Sequence, residues 1–253
     1  MQANGDDILV TEGLGKSFGE FKAVSDVSLR VRRGSIHALI GPNGAGKTTC
    51  FNMLTKFIRP TQGRILYNGR DITDVAPADV ARLGLVRSFQ ISAVFPHLTA
   101  LENVRVALQR KRGDNFDFWR SKRILTRYDA RAHELLAEVG LGDFAHSLAS
   151  EISYGRKRAL EIATTLALEP EMMLLDEPMA GIGHEDIDRI VALIRRVSAN
   201  RTVLMVEHNL QVVEHLSDRI TVLTRGRVLA EGDYATVSEN PEVKSAYLGV
   251  GHG

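Results

Sequence analysis

The sequence predicts an α/β fold with three parts: a core of alternating strands and helices, an N-terminal antiparallel β subdomain and a helical insertion. The first forty residues alternate as β-strands do, residues 99–168 have mostly helical periodicity, and the last hundred residues alternate between strand and helix. We expect one domain over residues 1–253. Its core and β subdomain would occupy about 1–90 and 170–253, and its helical subdomain about 91–169.

The N-terminal part reads as a β layer. Residues 8–10 open a strand, residues 24–31 form one continuous strand, and Gly34 marks a turn into the apolar strand at 36–40. Residues 63–69 indicate a further strand that is closed by an Asn-Gly turn, and a short helix is expected at 77–83.

The helical insertion begins at a capping pattern. Thr99 can cap a helix with Glu102 three residues later, and Leu101, Val104 and Leu108 then share one face. Residues 110–123 mix basic and aromatic side chains. We interpret them as a solvated helix connection rather than a nucleic-acid surface, because 32 Lys and Arg balance 31 Asp and Glu over the chain.

The last hundred residues continue the alternation of strand and helix. The segments follow one another at 172–175, 187–197, 202–206, 210–216, 220–223 and 228–231. Such alternation is typical of a mainly parallel sheet with helices on its faces.

Composition indicates a globular, soluble protein, and its cysteine content fits a reducing compartment without establishing one. Hydrophobic residues make up 44% of the 253 positions, and the single cysteine, Cys50, cannot form an internal disulfide. No apolar run reaches the roughly 18 residues of a membrane-spanning helix, and the N-terminus lacks the pattern of a signal peptide. A membrane role would therefore act through a partner.

Residues 41–48, the phosphate loop, match the pattern G-x-x-x-x-G-K-[ST] between an apolar strand and helix-forming residues. Its glycines allow backbone N–H groups to approach phosphates, Lys47 would reach the β and γ phosphates, and the Thr48 hydroxyl would bind Mg²⁺. The loop alone does not choose between a kinase, a GTPase, a transport ATPase and a helicase. Nucleotide contacts are expected from Gly41, Pro42, Asn43, Gly44, Ala45, Gly46, Lys47, Thr48 and Thr49.

Two acids follow a buried-type strand and are expected beside the phosphate loop. Alternation separates Asp176, which would support Mg²⁺, from Glu177, which would act as the general base on the attacking water. His208 closes the next apolar strand and can donate a hydrogen bond to the γ-phosphate, although a structural role is also open to it. The Gln90 amide could likewise contact metal and water.

Residues 153–155, the signature segment, indicate a second phosphate site. Ser153 can cap the helix that follows, Tyr154 and Gly155 begin it, and its N–H groups and positive dipole suit an anion. An ordinary helix cap is the alternative. Since one γ-phosphate is already served by the phosphate loop, the segment is best placed to complete the site of another subunit.

In this order, the phosphate loop, Gln90, the signature segment, Asp176-Glu177 and His208 make the chain similar to ATP-binding-cassette (ABC) ATPases along nearly its whole length. The resemblance implies a RecA-like phosphate-loop core, with Phe18 stacked on adenine and Gln90 linking the site to a transmembrane partner. It also implies two subunits, identical or sister chains, that clamp two ATP molecules head to tail.

Within that family, five stretches most resemble the ATPase subunits of branched-chain amino acid importers: 51–55, 87–90, 152–155, 206–209 and 246–249. This resemblance implies permease subunits, an indirectly bound solute-binding protein and a place on the cytoplasmic face of the inner membrane. The chain departs from the usual pattern at three positions. Arg156 replaces the usual Gln, Gly183 an Asp or Asn, and Lys56 a common Gly.

The sequence thus predicts an ATP-hydrolysing subunit that drives import of branched-chain or related amino acids, or of small polar solutes. Two rivals share the fold: an assembly or repair ATPase without a permease, and the ATPase of a lipid exporter. Co-purification with hydrophobic membrane proteins would favour transport, whereas nucleic-acid-stimulated activity would favour the first rival. A GTPase is disfavoured because no Asn-Lys-x-Asp motif occurs.

Overall fold

The computed structural model describes residues 6–88, 94–112 and 127–248. Its strands are β1 (Asp7–Phe18), β2 (Phe21–Val27), β3 (Arg30–Arg32), β4 (Ile36–Ile40), β5 (Gln62–Tyr67), β6 (Arg70–Asp71), β7 (Leu85–Ser88), β8 (Met172–Asp176), β9 (Thr202–Val206), β10 (Arg219–Thr224) and β11 (Arg227–Gly232). Its α-helices are α1 (Lys47–Leu54), α2 (Pro77–Arg82), α3 (Ala100–Arg112), α4 (Asp129–Glu138), α5 (Tyr154–Leu166), α6 (His184–Ser198), α7 (Leu210–Leu216), α8 (Tyr234–Glu239) and α9 (Pro241–Leu248).

The larger sheet has the strand order β11-β10-β4-β9-β8-β7. Its strands from β10 to β7 are parallel, and β11 pairs antiparallel with β10. Strict alternation would make residues 228–231 a helix, which is wrong: they lie in β11, because the tight turn at Arg225 and Gly226, both with positive φ, returns the chain directly beside β10.

The parallel strands are buried on both faces, which explains why they read as continuous apolar runs. On one face Leu39, Leu174 and Leu204 pack with residues of α1 and the β subdomain. On the other face the neighbouring side chains pack with α5, α6 and α7. The sheet is therefore the central layer, and both hydrophobic cores are built against it.

The β subdomain is the sheet β2-β1-β5-β6, with β3 also paired to β1. The predicted continuous strand at 24–31 is wrong, since β2 ends at Val27 and β3 begins at Arg30. The Thr11 side chain fills the break. Its hydroxyl donates to the Val27 carbonyl at 2.9 Å and accepts from the Leu29 N–H at 2.8 Å.

The helical part begins as the capping pattern predicts. The Thr99 N–H donates to the Glu102 carboxylate at 2.8 Å, and the Glu102 N–H donates to the Thr99 hydroxyl at 3.2 Å. Leu101, Val104 and Leu108 are buried on one face of α3, as expected. Residues 113–126, which hold most of the basic and aromatic segment, lie outside the described residues.

In the parts of the chain that the structure describes, no helix has the length and the apolar character needed to span a membrane.

Candidate active site

The carboxyl edge of the parallel sheet brings the predicted site segments together. β9 lies between β4 and β8, with Val206 paired to both Leu39 and Asp176. The phosphate loop follows β4, and Glu177 and His208 follow β8 and β9. Parallel strands end at one edge, so the three segments adjoin there.

The phosphate loop needs glycine at two of its positions. Gly41 has φ 152°, and a Cβ there would collide with the carbonyl oxygen of Leu223. Gly46 has φ 96°, and a Cβ there would lie 2.6 Å from the Ala23 carbonyl oxygen. Between them the loop carries exposed Asn43 and buried Ala45. Helix α1 begins at Lys47, within the last two residues of the loop, so its N-terminus faces the anion position.

Lys47 lies inside the loop that carries it. Its Nζ donates to the carbonyl oxygens of Gly41 at 2.6 Å and Pro42 at 3.0 Å. Burial lowers the pKa of this ammonium below its ordinary value, and the nearby Glu177 carboxylate opposes that shift. The structure therefore brings the cation and the predicted base within electrostatic reach of each other. Thr48 is exposed one residue further on, and Thr49 is half-buried.

Asp176 is buried at the end of β8 and forms an ion pair with Arg87 of β7. The other terminal nitrogen of Arg87 donates to Asn52 Oδ1 at 2.8 Å. The guanidinium also lies 5.4 Å from the Phe51 ring centroid and 5.3 Å from that of Phe57. Sequence reasoning missed Arg87, although a lone arginine on the apolar strand 85–88 was a visible signal.

Glu177 adopts a left-handed backbone conformation with φ 45°, which is rare for a residue with a side chain. Two hydrogen bonds fix its peptide groups. Its N–H donates to the Val206 carbonyl at 2.9 Å, and its carbonyl accepts from Arg158 Nη2 at 2.9 Å.

His208 is exposed after β9, and its position depends on the buried residue before it. The fully buried Glu207 carboxylate accepts from the N–H groups of Met179 at 2.9 Å, His208 at 3.0 Å and Asn209 at 3.2 Å. One side chain thus joins the segment after Glu177 to the histidine segment. Sequence reasoning passed over Glu207, despite the signal of a carboxylate directly after a buried strand.

Phe18 is the last residue of β1 and pairs with Phe21 at the start of β2. Its side chain is 52% exposed, and its ring centroid lies 5.2 Å from Lys16 Nζ. Strand β2 contacts the loop, because Ala23 and Val24 are among the nearest neighbours of Gly46. The ring is exposed, and its role in binding adenine stays a prediction. Gln90 lies outside the described residues, so its predicted role stays a prediction.

The signature segment begins α5, with Ser153 as its cap: the Ser153 hydroxyl accepts from the Arg156 N–H at 3.4 Å. The Tyr154 hydroxyl donates to the Ala180 carbonyl at 3.2 Å, and a Cβ on Gly155 would collide with the Asp186 carboxylate. Tyr154 and Gly155 thus pack against residues 180–186 of the same chain, the stretch that follows the predicted base.

The three departures from the usual pattern have local physical accounts. The Arg156 guanidinium lies 4.0 Å from the Phe144 ring centroid, so this cation is engaged within the helical part. Gly183 is the N-cap of α6 and supplies no side-chain cap, which Asp or Asn would do. Lys56 has φ 64°, the conformation that glycine adopts at the least cost.

The C-terminal helices pack beneath the phosphate loop. Val237 of α8 and Val243 of α9 are buried, and they line a cavity of about 240 Å³ together with Ile40. Burial raises the pKa of the Tyr247 hydroxyl to about 12, and the backbone of nearby Gly41 acts in the opposite direction. Helices α8 and α9 thus pack against the strand that leads into the loop.

The phosphate loop follows β4 at the carboxyl edge of a parallel sheet, and an ion-paired Asp and a Glu follow β8, on the far side of β9. This arrangement defines a nucleoside triphosphatase of the phosphate-loop class.

The ABC transporter family model matches residues 24–180, and the model of the branched-chain amino acid ATP-binding cassette transporter matches residues 227–253. The chain belongs to the ABC transporter family and is an ATPase subunit of it. This finding confirms the family, the fold class and the ATP hydrolysis that the sequence predicts.

Relatives and solved structures agree along most of the chain. The high-affinity branched-chain amino acid transport ATP-binding protein BraF of Pseudomonas aeruginosa is 40% identical, over 96% of this chain and 98% of its own length. A nucleotide-free ATP-binding cassette from an ABC transporter is 30% identical, covers 95% of this chain and 98% of its own, and has a TM-score of 0.84. The dimeric post-hydrolysis cassette MJ0796 bound to ADP and Pi is 25% identical, covers 89% and 98%, and has a TM-score of 0.73.

Proposed function

We propose that this chain hydrolyses ATP to drive import of branched-chain or related amino acids, or of similarly small polar solutes. The likeness to the BraF transport subunit over nearly the whole chain supports this proposal. The match of residues 227–253 to the branched-chain family model supports it independently. The mechanism rests on one observation: the phosphate loop, Asp176-Glu177 and His208 meet at one edge of the parallel sheet.

The residues at this edge have complementary roles in phosphoryl transfer. The Glu177 carboxylate takes a proton from the attacking water. The water oxygen bonds to the γ-phosphorus, and the bond between the γ-phosphorus and the bridging oxygen of the ADP leaving group breaks. Lys47 leaves its loop carbonyls to bind phosphate oxygens, and His208 donates a hydrogen bond to the γ-phosphate. Without nucleotide, the Lys47 ammonium and the Glu177 carboxylate lie within electrostatic reach of each other. A triphosphate that draws Lys47 to its oxygens would lie between the two groups and separate the base from the cation.

Magnesium fits the oxygen donors at this edge. The exposed Thr48 hydroxyl and the Asp176 carboxylate are hard ligands of the kind that Mg²⁺ prefers, and the sequence adds the Gln90 amide oxygen. The Arg87 ion pair engages Asp176 Oδ2, so Oδ1 is the oxygen that can face a metal. When bound, Mg²⁺ would neutralise charge on the β and γ phosphate oxygens.

ATP would bind to residues 41–49 with its adenine on Phe18, and this is half of a complete site. We propose that Ser153, Tyr154 and Gly155 of a second subunit supply the other half. The exposed cap at Ser153 and the dimeric MJ0796 cassette support this arrangement. The helical subdomain at about 91–169 would carry the signature segment toward the partner.

The remaining partners would be membrane proteins. We infer two permease subunits that contact the chain near Gln90, and a solute-binding protein that acts through them. The chain would then lie on the cytoplasmic face of the inner membrane, held by the permease. No nucleic-acid partner is expected, because Lys and Arg exceed Asp and Glu by only one residue.

Glu177→Gln tests the assignment of the base. The variant should bind ATP normally and hold the closed dimer, while its turnover falls by about a hundredfold or more, since a general base contributes about 10²–10⁴. Gel filtration with ATP and steady-state phosphate release measure the two effects. The exposed Glu239→Gln is the matched control and should behave as wild type. Turnover near wild type in Glu177→Gln would remove Glu177 from its role.

Lys47→Ala tests the phosphate loop. It removes the cation that is buried among the loop carbonyls, so binding of a fluorescent ATP analogue should be lost while the urea midpoint changes little. Unchanged affinity would contradict the assignment.

Purification with the natural membrane partners tests the transport role. ATPase activity of the assembled complex should rise when binding protein loaded with a branched-chain amino acid is added. Stimulation by DNA or RNA, without any membrane partner, would instead reject the transport proposal.

A further inference from the structure

Arg158 connects the signature helix to the backbone of the predicted base. All three nitrogens of its guanidinium donate hydrogen bonds. Nη2 donates to the Glu177 carbonyl at 2.9 Å, Nε to the Pro178 carbonyl at 3.0 Å, and Nη1 to Glu161 Oε2 at 2.7 Å. One planar side chain thus holds two successive peptide groups after β8 and an acid of its own helix.

The cluster is removed from solvent. The side chains of Arg158 and Glu161 are 4% and 6% exposed on the buried face of α5. A buried charge pair costs desolvation energy, and apolar residues of similar volume often replace such pairs without loss of stability. Stability alone therefore does not account for an arginine here, whereas the two carbonyl contacts do.

We propose that Arg158 is a positioning residue that couples the signature segment to Glu177; this inference rests on the proposed ATPase mechanism. Glu177 has φ 45°, a left-handed conformation that a residue with a side chain rarely adopts. Its N–H is held by Val206 and its carbonyl by Arg158. With both peptide groups fixed, the carboxylate is left with side-chain rotation only.

The coupling joins two different ATP sites. The signature segment of one subunit completes the partner's site, whereas Glu177 acts on ATP held by its own phosphate loop. Arg158 lies on α5 four residues after Tyr154, which contacts Ala180. A shift of the signature helix on the partner's ATP would therefore be carried through Arg158 to the base of the other site.

Two substitutions separate positioning from stability. Glu161→Gln removes the charge of the acid but leaves Arg158 free to donate to Glu177 and Pro178. Arg158→Lys keeps a cation for Glu161, but a single ammonium cannot reproduce the planar fork that reaches both carbonyls. A third variant, Arg158→Met with Glu161→Leu, removes both buried charges and keeps the volume. Each full-length variant is measured for urea midpoint, ATP dissociation constant, kcat and KM.

The expected pattern is a separation of kcat from the other quantities. Glu161→Gln should keep kcat within about twofold of wild type, whereas Arg158→Lys should lose about tenfold or more, because small misplacements of catalytic groups have such costs. The double variant should keep the wild-type ATP affinity, yet lose kcat to at least the same extent. Its urea midpoint should fall less than that of Arg158→Lys, because removal of both buried charges offsets part of the loss of the two carbonyl hydrogen bonds.

Three results would overturn the proposal. They are a wild-type kcat in Arg158→Lys, recovery of kcat in the double variant, and kcat losses that follow the urea midpoint across all variants. If the wild-type chain, assembled with its second ATPase subunit and the permease, binds ATP without hydrolysing it, the proposed mechanism itself is rejected. That result is distinct from a failure of this inference, in which the wild-type complex hydrolyses ATP and Arg158→Lys does so equally well.

Discussion

Glu207→Gln tests how the buried carboxylate holds the edge of the active site. Glu207 is fully buried and accepts three backbone N–H groups: Oε1 from Met179, and Oε2 from His208 and Asn209. Glutamine has the same shape but only one acceptor oxygen. If that oxygen accepts from the N–H groups of His208 and Asn209, the amide NH₂ group faces the Met179 N–H. Two donors then face each other in the protein interior, and the Met179 N–H has no acceptor.

The magnitude follows from these three contacts. Two hydrogen bonds change from charged to neutral acceptors, at about 1 kcal/mol each, and the Met179 N–H loses its acceptor at about 1–3 kcal/mol. Relief from burying a charge offsets part of the loss, which leaves about 2 kcal/mol of destabilisation. For a chain of this size that corresponds to a fall in Tm of about 4–8 °C.

Urea unfolding and phosphate release measure the two consequences. The free energy of unfolding should fall by about 2 kcal/mol. The value of kcat should also fall, because Glu207 holds both the segment after the predicted base, at Met179, and the predicted site residue His208. Exposed Glu214→Gln makes the same charge change on α7 and should stay within about 0.5 kcal/mol of wild type. A Glu207→Gln variant as stable and as active as the Glu214 control would refute the reasoning.

Three further substitutions test the backbone and charge features of the fold. Gly41→Ala should abolish nucleotide binding and cost more than about 2 kcal/mol, because its Cβ would collide with the Leu223 carbonyl; Gly44→Ala, with open space around its Cβ, should lose only about 1 kcal/mol in urea unfolding. Gly183→Asp should raise the free energy of unfolding by a few tenths of a kcal/mol by capping α6, whereas Gly183→Ala should lower it. Burial lowers the pKa of Lys56 to about 8, so the unfolded chain binds more protons above that pH; stability of wild type relative to Lys56→Met should rise from about pH 8 to pH 10, and a flat difference would contradict this.

The chemistry of the site could be read from the sequence because it lies in short local patterns. The phosphate loop, the acids at 176 and 177 and the Thr99-Glu102 cap each depend on a few consecutive residues next to a strand or helix. The structure places the first two at one edge of the sheet and forms the cap as expected. The roles of these residues in binding and catalysis stay predictions until the variants above are measured.

Other features depend on contacts between distant parts of the chain. The break at 28–29 follows from Thr11, seventeen residues earlier, and the hairpin at 225–226 from the pairing of β11 with β10. The periodicity of residues 24–31 does not predict the break, and that of residues 220–231 does not predict the hairpin. A local pattern does not reveal which distant side chain or strand a segment will pair with.

The sequence by itself determined the fold class, the family and the residues that would meet phosphate, because those depend on local residue order. Only the tertiary structure decided what holds them in place. Arg87 forms an ion pair with Asp176, and Arg158 donates to the Glu177 carbonyl. Glu207 accepts from the N–H groups of Met179 and His208. These are buried charges whose partners lie up to 89 positions away in the sequence. Folding pairs such charges across elements because burial without a partner is costly, and sequence order does not say which partner is met.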